Sequence, residues 1–273
     1  MNLVLALSLV FIGINANDYV FINSYIVGIQ NSLRYQMPFS MQVNREEVLF
    51  SVVFQPIFDL EINTVIAMEV LSRVQSGSNI ETTLKQISLN GNSREFTLAL
   101  CKEIVSVCSQ LPGSIRYLSI NVTMVHMCNY RICDDLEELI TRLSERKIKL
   151  VVELPEGEPY PKPKSRSGRM LAYNIKSLQC HGVLIAIDDF GEGFHIDEAV
   201  VSRFMPDILK IDKKIVQEPN NNRDVWLLIE SIRKRFNLSV VAEGVEHAKD
   251  LDFVVGEGIQ LCQGFYFGRP DNL

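Results

Sequence analysis

The chain has 273 residues, 47% of them hydrophobic, with 27 basic against 33 acidic side chains and a net charge of −6. That length and apolar content provide for one large buried core and exclude a mainly disordered chain. The acidic balance, without any basic stretch interleaved with aromatics, excludes a nucleic-acid polymer as partner, and a phosphate-ester substrate would need cations to hold it.

The N-terminus is apolar from Leu3 to Ile14 and again from Tyr19 to Ile29. The first run is too short to span a bilayer, and no Lys or Arg precedes it as a signal peptide would require. Two readings stay open for residues 1–45: inner-membrane association through residues 3–29, or a helix packed on the domain that follows. Residues 46–273 read as one cytoplasmic domain. Six cysteines (Cys101, Cys108, Cys128, Cys133, Cys180 and Cys262) form no CxxC pair and have no zinc spacing with the four histidines, so they read as reduced thiols.

From residue 46 onward short apolar runs alternate with amphipathic segments. The predicted strands are Ser51–Leu60, Val65–Leu71, Tyr117–Val122, Lys149–Leu154, Val183–Asp188, Ile208–Ile211, Ser239–Ala242 and Ile259–Tyr266. Their Val, Ile and Leu content suits strands buried on both faces. Helices are predicted over Arg94–Gln110, Asp134–Arg146, Gly168–His181, Asp197–Phe204, Asp224–Asn237 and Ala248–Gly256. Alternation of this kind implies a parallel sheet with crossover helices, and eight strands fit a single-domain (β/α)8 TIM-like barrel. An open doubly wound sheet is the alternative, but no GxGxxG or GxxxxGK[ST] loop follows the first strands. Glu156–Ser167, with three prolines and three basic residues, is a loop at the barrel mouth.

The apolar runs end on polar residues: Glu69, Asn121, Glu153, Asp188 with Asp189, Lys210, Glu243 and Gln263. A lone acid after a strand is most often a cap or a solvated loop residue. Seven polar ends on eight runs are harder to explain that way, and barrel enzymes place their chemistry at this face. Five carboxylates against Lys210 leave a formal −4. Like charges about 4 Å apart repel by several kcal/mol at a protein's effective dielectric. Counter-ions are therefore expected, and oxygen ligands without His or Cys favour Mg²⁺ or Mn²⁺, two ions per site. Adjacent Asp188 and Asp189 suit a two-metal centre for phosphoryl displacement.

These residues occur in FQPIFDL (54–60), MEVLSR (68–73), INVT (120–123), ELPE (153–156), IDDFGEGF (187–194), PDILKID (206–212), VVAEGVE (240–246) and QGFYFGRP (263–270). In order and spacing they resemble the EAL-type cyclic di-GMP phosphodiesterases over roughly residues 48–271. The resemblance implies a barrel whose first strand is allowed to run antiparallel, and hydrolysis of cyclic di-GMP to linear pGpG. It implies that Glu69, Asn121, Glu153 and Asp188 hold one ion, that Asp189 and Glu243 hold the second, and that Lys210 and Glu243 act on the water. It implies substrate and site-organising roles for Gln55, Arg73 and Gln263, supporting roles for Glu156 and Glu246, and a homodimer as an available state. The chain departs from the family pattern in reading Glu-Val-Leu for Glu-Ala-Leu at 69–71 and GEGFHID at 191–197 where GTGYSSL is usual. The alternative is a catalytically weak EAL protein that binds cyclic di-GMP or another protein. Retention of every acid and of the lysine favours the enzyme.

Overall fold

The computed structural model describes residues 38–155, 160–191 and 198–273. Of the N-terminal segment 1–45, residues 1–37, which include the apolar stretch 3–29, lie outside the described residues, and residues 38–45 form a strand and turn of the sheet. Nine strands form one sheet in sequence order: β1 (Pro38–Val43), β2 (Glu46–Asp59), β3 (Thr64–Val74), β4 (Tyr117–Asn121), β5 (Lys149–Leu154), β6 (Leu184–Phe190), β7 (Ile208–Ile211), β8 (Ser239–Ala242) and β9 (Leu261–Gln263). β2 also pairs with β9, which closes β2–β9 into an eight-stranded barrel. β3 to β9 run parallel, and β2 is antiparallel to both its neighbours. The eight-stranded barrel with an antiparallel first strand is the predicted architecture.

Local chemistry sets the elements. β1 joins β2 through a two-residue turn at Asn44 and Arg45, both with positive φ (53° and 71°), the twist that a tight hairpin requires. β1 was not expected from the sequence. Phe39 on β1 stacks on Phe50 of β2 at 5.2 Å between ring centroids, and both pack on Phe96. Phe96 belongs to α2 (Ser93–Val107), which follows α1 (Ile80–Leu89). Asn79 starts α1 by accepting from Thr82 N at 2.9 Å. The expected helices appear as α2, α4 (Ile132–Glu145), α5 (Arg166–Cys180), α6 (Glu198–Phe204), α8 (Arg223–Phe236) and α9 (Ala248–Gly256). Short α3 (Met124–Met127) and α7 (Lys213–Gln217) are additional. The last strand is shorter than the predicted Ile259–Tyr266, because the chain turns at Gly264.

The main core fills the space between the strands' outer faces and the helices, with Phe50, Ile104, Leu118, Val152, Ile187, Leu209 and Ile229 almost fully excluded from solvent. The six cysteines are unpaired, and no helix among the described residues is long and apolar enough to cross a membrane.

A buried polar knot ties α2, α3 and α4 together. Asp135 accepts from Arg94 Nε at 2.6 Å and Nη2 at 2.7 Å, and from His126 Nε2 at 3.0 Å. Burial holds the His126 imidazole below its ordinary pKa of 6.5, against the pull of Asp135. A neutral His126 donating from Nε2 satisfies this geometry. A depressed histidine pKa contributes stability that is present above the unfolded value and lost as pH falls. The protein should therefore lose denaturant stability below about pH 6.5, and Asp135→Ala should cost about 1–3 kcal/mol at neutral pH through the donors it strands. Chemical denaturation of both proteins at pH 5.5 and 7.5 measures each effect.

Candidate active site

The site is built at the C-terminal ends of the parallel strands. Gln55 on β2 lies directly opposite Glu69 on β3, so both side chains share the inner face of the hairpin. Asn121 closes β4, Glu153 is the penultimate residue of β5, and Gln263 closes β9. On β6 the ladder slips: Ile187 pairs with Leu209 and Phe190 with Ile211, so Asp188 and Asp189 together oppose the single residue Lys210. Asp189 takes a left-handed backbone, φ 47°. The result is a bulge, the device by which a strand re-aims a side chain at a site. Glu243 follows β8, its N–H held by Ile211 O at 3.1 Å. The next residue must be glycine: Gly244 has φ 65°, and a Cβ there would lie 2.2 Å from Lys213 Cβ.

Lys210 stands at the centre. Its Nζ lies 2.8 Å from Asp188 Oδ1, 2.8 Å from Glu243 Oε1, 3.1 Å from Glu153 Oε2 and 3.3 Å from Glu69 Oε2. Gln263 Nε2 donates to Glu69 Oε2 at 2.6 Å and Asn121 Nδ2 to Glu69 Oε1 at 3.1 Å. Lys210 is 2% exposed and Glu153 fully buried, so these are ion pairs largely shielded from water.

One ammonium cannot neutralise five carboxylates, and the pKa directions of the acids follow from that imbalance. Burial opposes ionisation of Glu69, yet Lys210 and the donors Gln263 and Asn121 hold its pKa below the ordinary value. Burial, together with neighbouring carboxylates, pushes Glu153 and Glu243 well above theirs despite Lys210. Burial and Glu69 raise Asp188 in the same way, and burial and Asp188 push Asp189 up to about 6. The Lys210 ammonium, penalised by burial, is held charged well above 10.5 by Asp188, Glu153, Glu243 and Glu69.

The residues fit a divalent cation. Asp188, Asp189 and Glu243 each present an oxygen within 4.8 Å of the others. Gln263 Oε1 is buried without a hydrogen-bond partner, and all of these donors are hard oxygens.

The structure thus gathers Glu69, Asn121, Glu153, Asp188, Asp189, Lys210, Glu243 and Gln263, with Gln55 opposite Glu69. Arg73 is not in this cluster. It is exposed, four residues further along the same strand face, with Nη1 donating to Ser72 O at 3.1 Å. Glu156 lies outside the described residues. Glu246 is half-buried, and its N–H donates to Asp250 Oδ2 at 3.2 Å. Asp250 and Asp212 were missed by the sequence reading. Asp250 is buried and also accepts from His247 N at 2.9 Å, fixing the loop after Glu243. Asp212 accepts from Lys214 N at 2.7 Å and caps α7 against Gly244. Each has the signature of a helix cap, an Asp at the first turn of a helix.

A family model described as EAL domain matches residues 40–270, and the chain belongs to the EAL domain family. The chain is 34% identical over 136 residues (48% of its length, 36% of the relative's) to Cyclic di-GMP phosphodiesterase PdeL of Escherichia coli. It is 26% identical over 239 residues to Probable cyclic di-GMP phosphodiesterase PdeN of the same organism, 84% of this chain and 44% of that one. It therefore spans less than half the length of either relative. Among solved structures, BlrP1 of Klebsiella pneumoniae in a calcium and cyclic di-GMP complex superposes with a TM-score of 0.68 at 25% identity, covering 81% of this chain and 56% of that one.

A raised carboxylate pKa contributes stability that is present below the unfolded value and lost as pH rises through the folded value. For Asp189 that window runs from 3.8 to about 6. In excess chelator, raising the pH from 4 to 6.5 should cost the wild type more than Asp189→Asn, by up to about 3 kcal/mol. Unfolding midpoints of the two proteins across that range test the assignment.

Proposed function

We propose that the chain is a metal-dependent phosphodiesterase that hydrolyses cyclic di-GMP to linear pGpG. The observation that carries the reading is Lys210 enclosed by carboxylates beside the Asp188, Asp189 and Glu243 oxygens, at the mouth of a barrel of the EAL family. The relatives named for this activity, and the neighbour solved with calcium and cyclic di-GMP, support the substrate and the need for divalent ions.

On this reading Glu69, Asn121, Glu153 and Asp188 hold one ion, and Asp189 and Glu243 hold the second. Two Mg²⁺ or Mn²⁺ ions would supply Lewis acidity and the missing counter-charge for in-line displacement. The chain supplies position. Lys210, unable to swing in its ring of acids, orients the attacking water through its ammonium. Glu243, raised by burial, accepts the water's proton. Gln263 and Asn121 hold both oxygens of Glu69 and so fix which lone pairs it offers. Gln55, across the hairpin, borders the same face. Arg73 stands about 13 Å along β3 from Glu69, at 3.3 Å per residue. That distance suits it to meet a substrate phosphate, not the reacting one.

Turnover of cyclic di-GMP, followed by chromatography of the product, should require Mg²⁺ or Mn²⁺ and vanish in chelator. Unchanged turnover in chelator contradicts the mechanism. Lys210→Ala should lower turnover about a hundredfold or more while calorimetry shows cyclic di-GMP binding retained in Ca²⁺. Equal, near-zero turnover with equal tight binding in wild type and variant would instead make the protein a receptor.

A further inference from the structure

Asp189 and Glu243 come from different strands, with β7 between them. Asp189 sits in the β6 bulge, and Glu243 lies just past Ala242, the last paired residue of β8. The spacing of the two side chains therefore depends on what packs against the loops that follow them. One element touches both loops. The single turn α7 leaves β7 shortly after Lys210. A Cβ on Gly191, the residue after β6, would lie 2.7 Å from Ile215 Cγ1, so that loop rests on the α7 side chain. The Glu243 loop rests on the same turn through Gly244, whose Cα admits no side chain beside Lys213. Gln217, the last residue of α7, donates from Nε2 to Gly244 O at 2.7 Å.

A helix of one turn has little stability of its own, and α7 is held from outside. Asp212 Oδ1 accepts from Lys214 N at 2.7 Å, and Asp212 N donates to Phe190 O at 3.2 Å. Trp226 Nε1, on α8, donates to Ile215 O at 3.1 Å. Ile215, Val216 and Trp226 are all buried. Gln217 differs from these anchors. It is half-buried, and its side chain reaches across to the carbonyl next to Glu243.

We propose that Gln217 is a positioning residue for the second ion. Through Gly244 O it holds the Glu243 loop on α7, against which Ile215 already sets the Asp189 loop. Together these contacts fix the gap that Asp189 and Glu243 offer to a cation. Gln217 is not among the residues assigned to either ion, so it acts only through the backbone beside Glu243. Groups that orient metal ligands from behind typically contribute about ten- to a hundredfold in affinity or activity. The inference rests on the metal-dependent reading above and assigns no role to Gln217 at the first ion.

The test compares wild type with two variants. Gln217→Met keeps the side chain's length and neutrality but has no donor, and Gln217→Arg places Nε–H the same number of bonds from Cα. Hydrogen exchange in chelator, resolved to residues 240–247, reads the loop with no ion bound. The amides of Glu243, Val245 and His247 are all hydrogen-bonded there. Exchange should quicken in Gln217→Met and return toward wild type in Gln217→Arg, with the unfolding midpoint unchanged in both. Calorimetry should count two Mn²⁺ in wild type, one of them bound at least about tenfold more weakly in Gln217→Met. Turnover of cyclic di-GMP should fall in kcat with little change in KM. A wild type that takes up fewer than two Mn²⁺ overturns the two-ion reading and this inference with it. Two-ion binding that is the same in Gln217→Met, or loop exchange that Gln217→Met does not quicken or Gln217→Arg does not restore, overturns this inference alone. Quicker exchange along the whole chain in Gln217→Met would make Gln217 a stability residue and overturn it as well.

Discussion

The structure turns on one buried lysine. Lys210 is 2% exposed and lies within 3.3 Å of four carboxylates. An isolated ammonium at such a depth would lose its proton, and isolated carboxylates would keep theirs. Together they stabilise one another, but not to neutrality, and this imbalance defines what the barrel mouth can do. The acids around Lys210 are of two kinds. Glu69, with three donors on its oxygens, stays ionised. Glu153, Asp188, Asp189 and Glu243 are held toward their protonated forms until more positive charge arrives. A cluster of this type binds cations and exchanges protons with the same atoms.

The backbone is shaped to make that ring possible. A regular β6 would alternate Asp188 and Asp189 to opposite faces. The bulge, at the cost of a left-handed residue, brings both toward Lys210. Gly244 lets the chain turn against Lys213 directly after Glu243, and Asp250 gathers the following amides. Strain and special geometry thus collect at the mouth, while the helical shell keeps ordinary packing.

The sequence made the barrel legible because parallel strands buried on both faces are continuous apolar runs, and helices between them carry their own period. The cluster was legible for the same reason: Glu69, Glu153, Asp188, Lys210 and Glu243 interrupt those runs at corresponding depth. Other features carry no period to read. β1 follows a long apolar stretch that hides its alternation, and α3 and α7 are a single turn each. α1 contains the β-branched pair Thr82 and Thr83, which disfavours helix until Asn79 caps it. Arg73 reads like its neighbours in MEVLSR but sits beyond the cluster.

The account's central claim is that this ring is short of positive charge and takes it from divalent cations. Calorimetric titration of Mn²⁺ into chelator-stripped protein at pH 6, repeated in buffers of different ionisation enthalpy, tests it directly by counting protons. Saturable binding with net proton release is the predicted result, because carboxylates held protonated by burial must give up protons to bind the ion. Absence of saturable binding, or binding with no proton released, would contradict it.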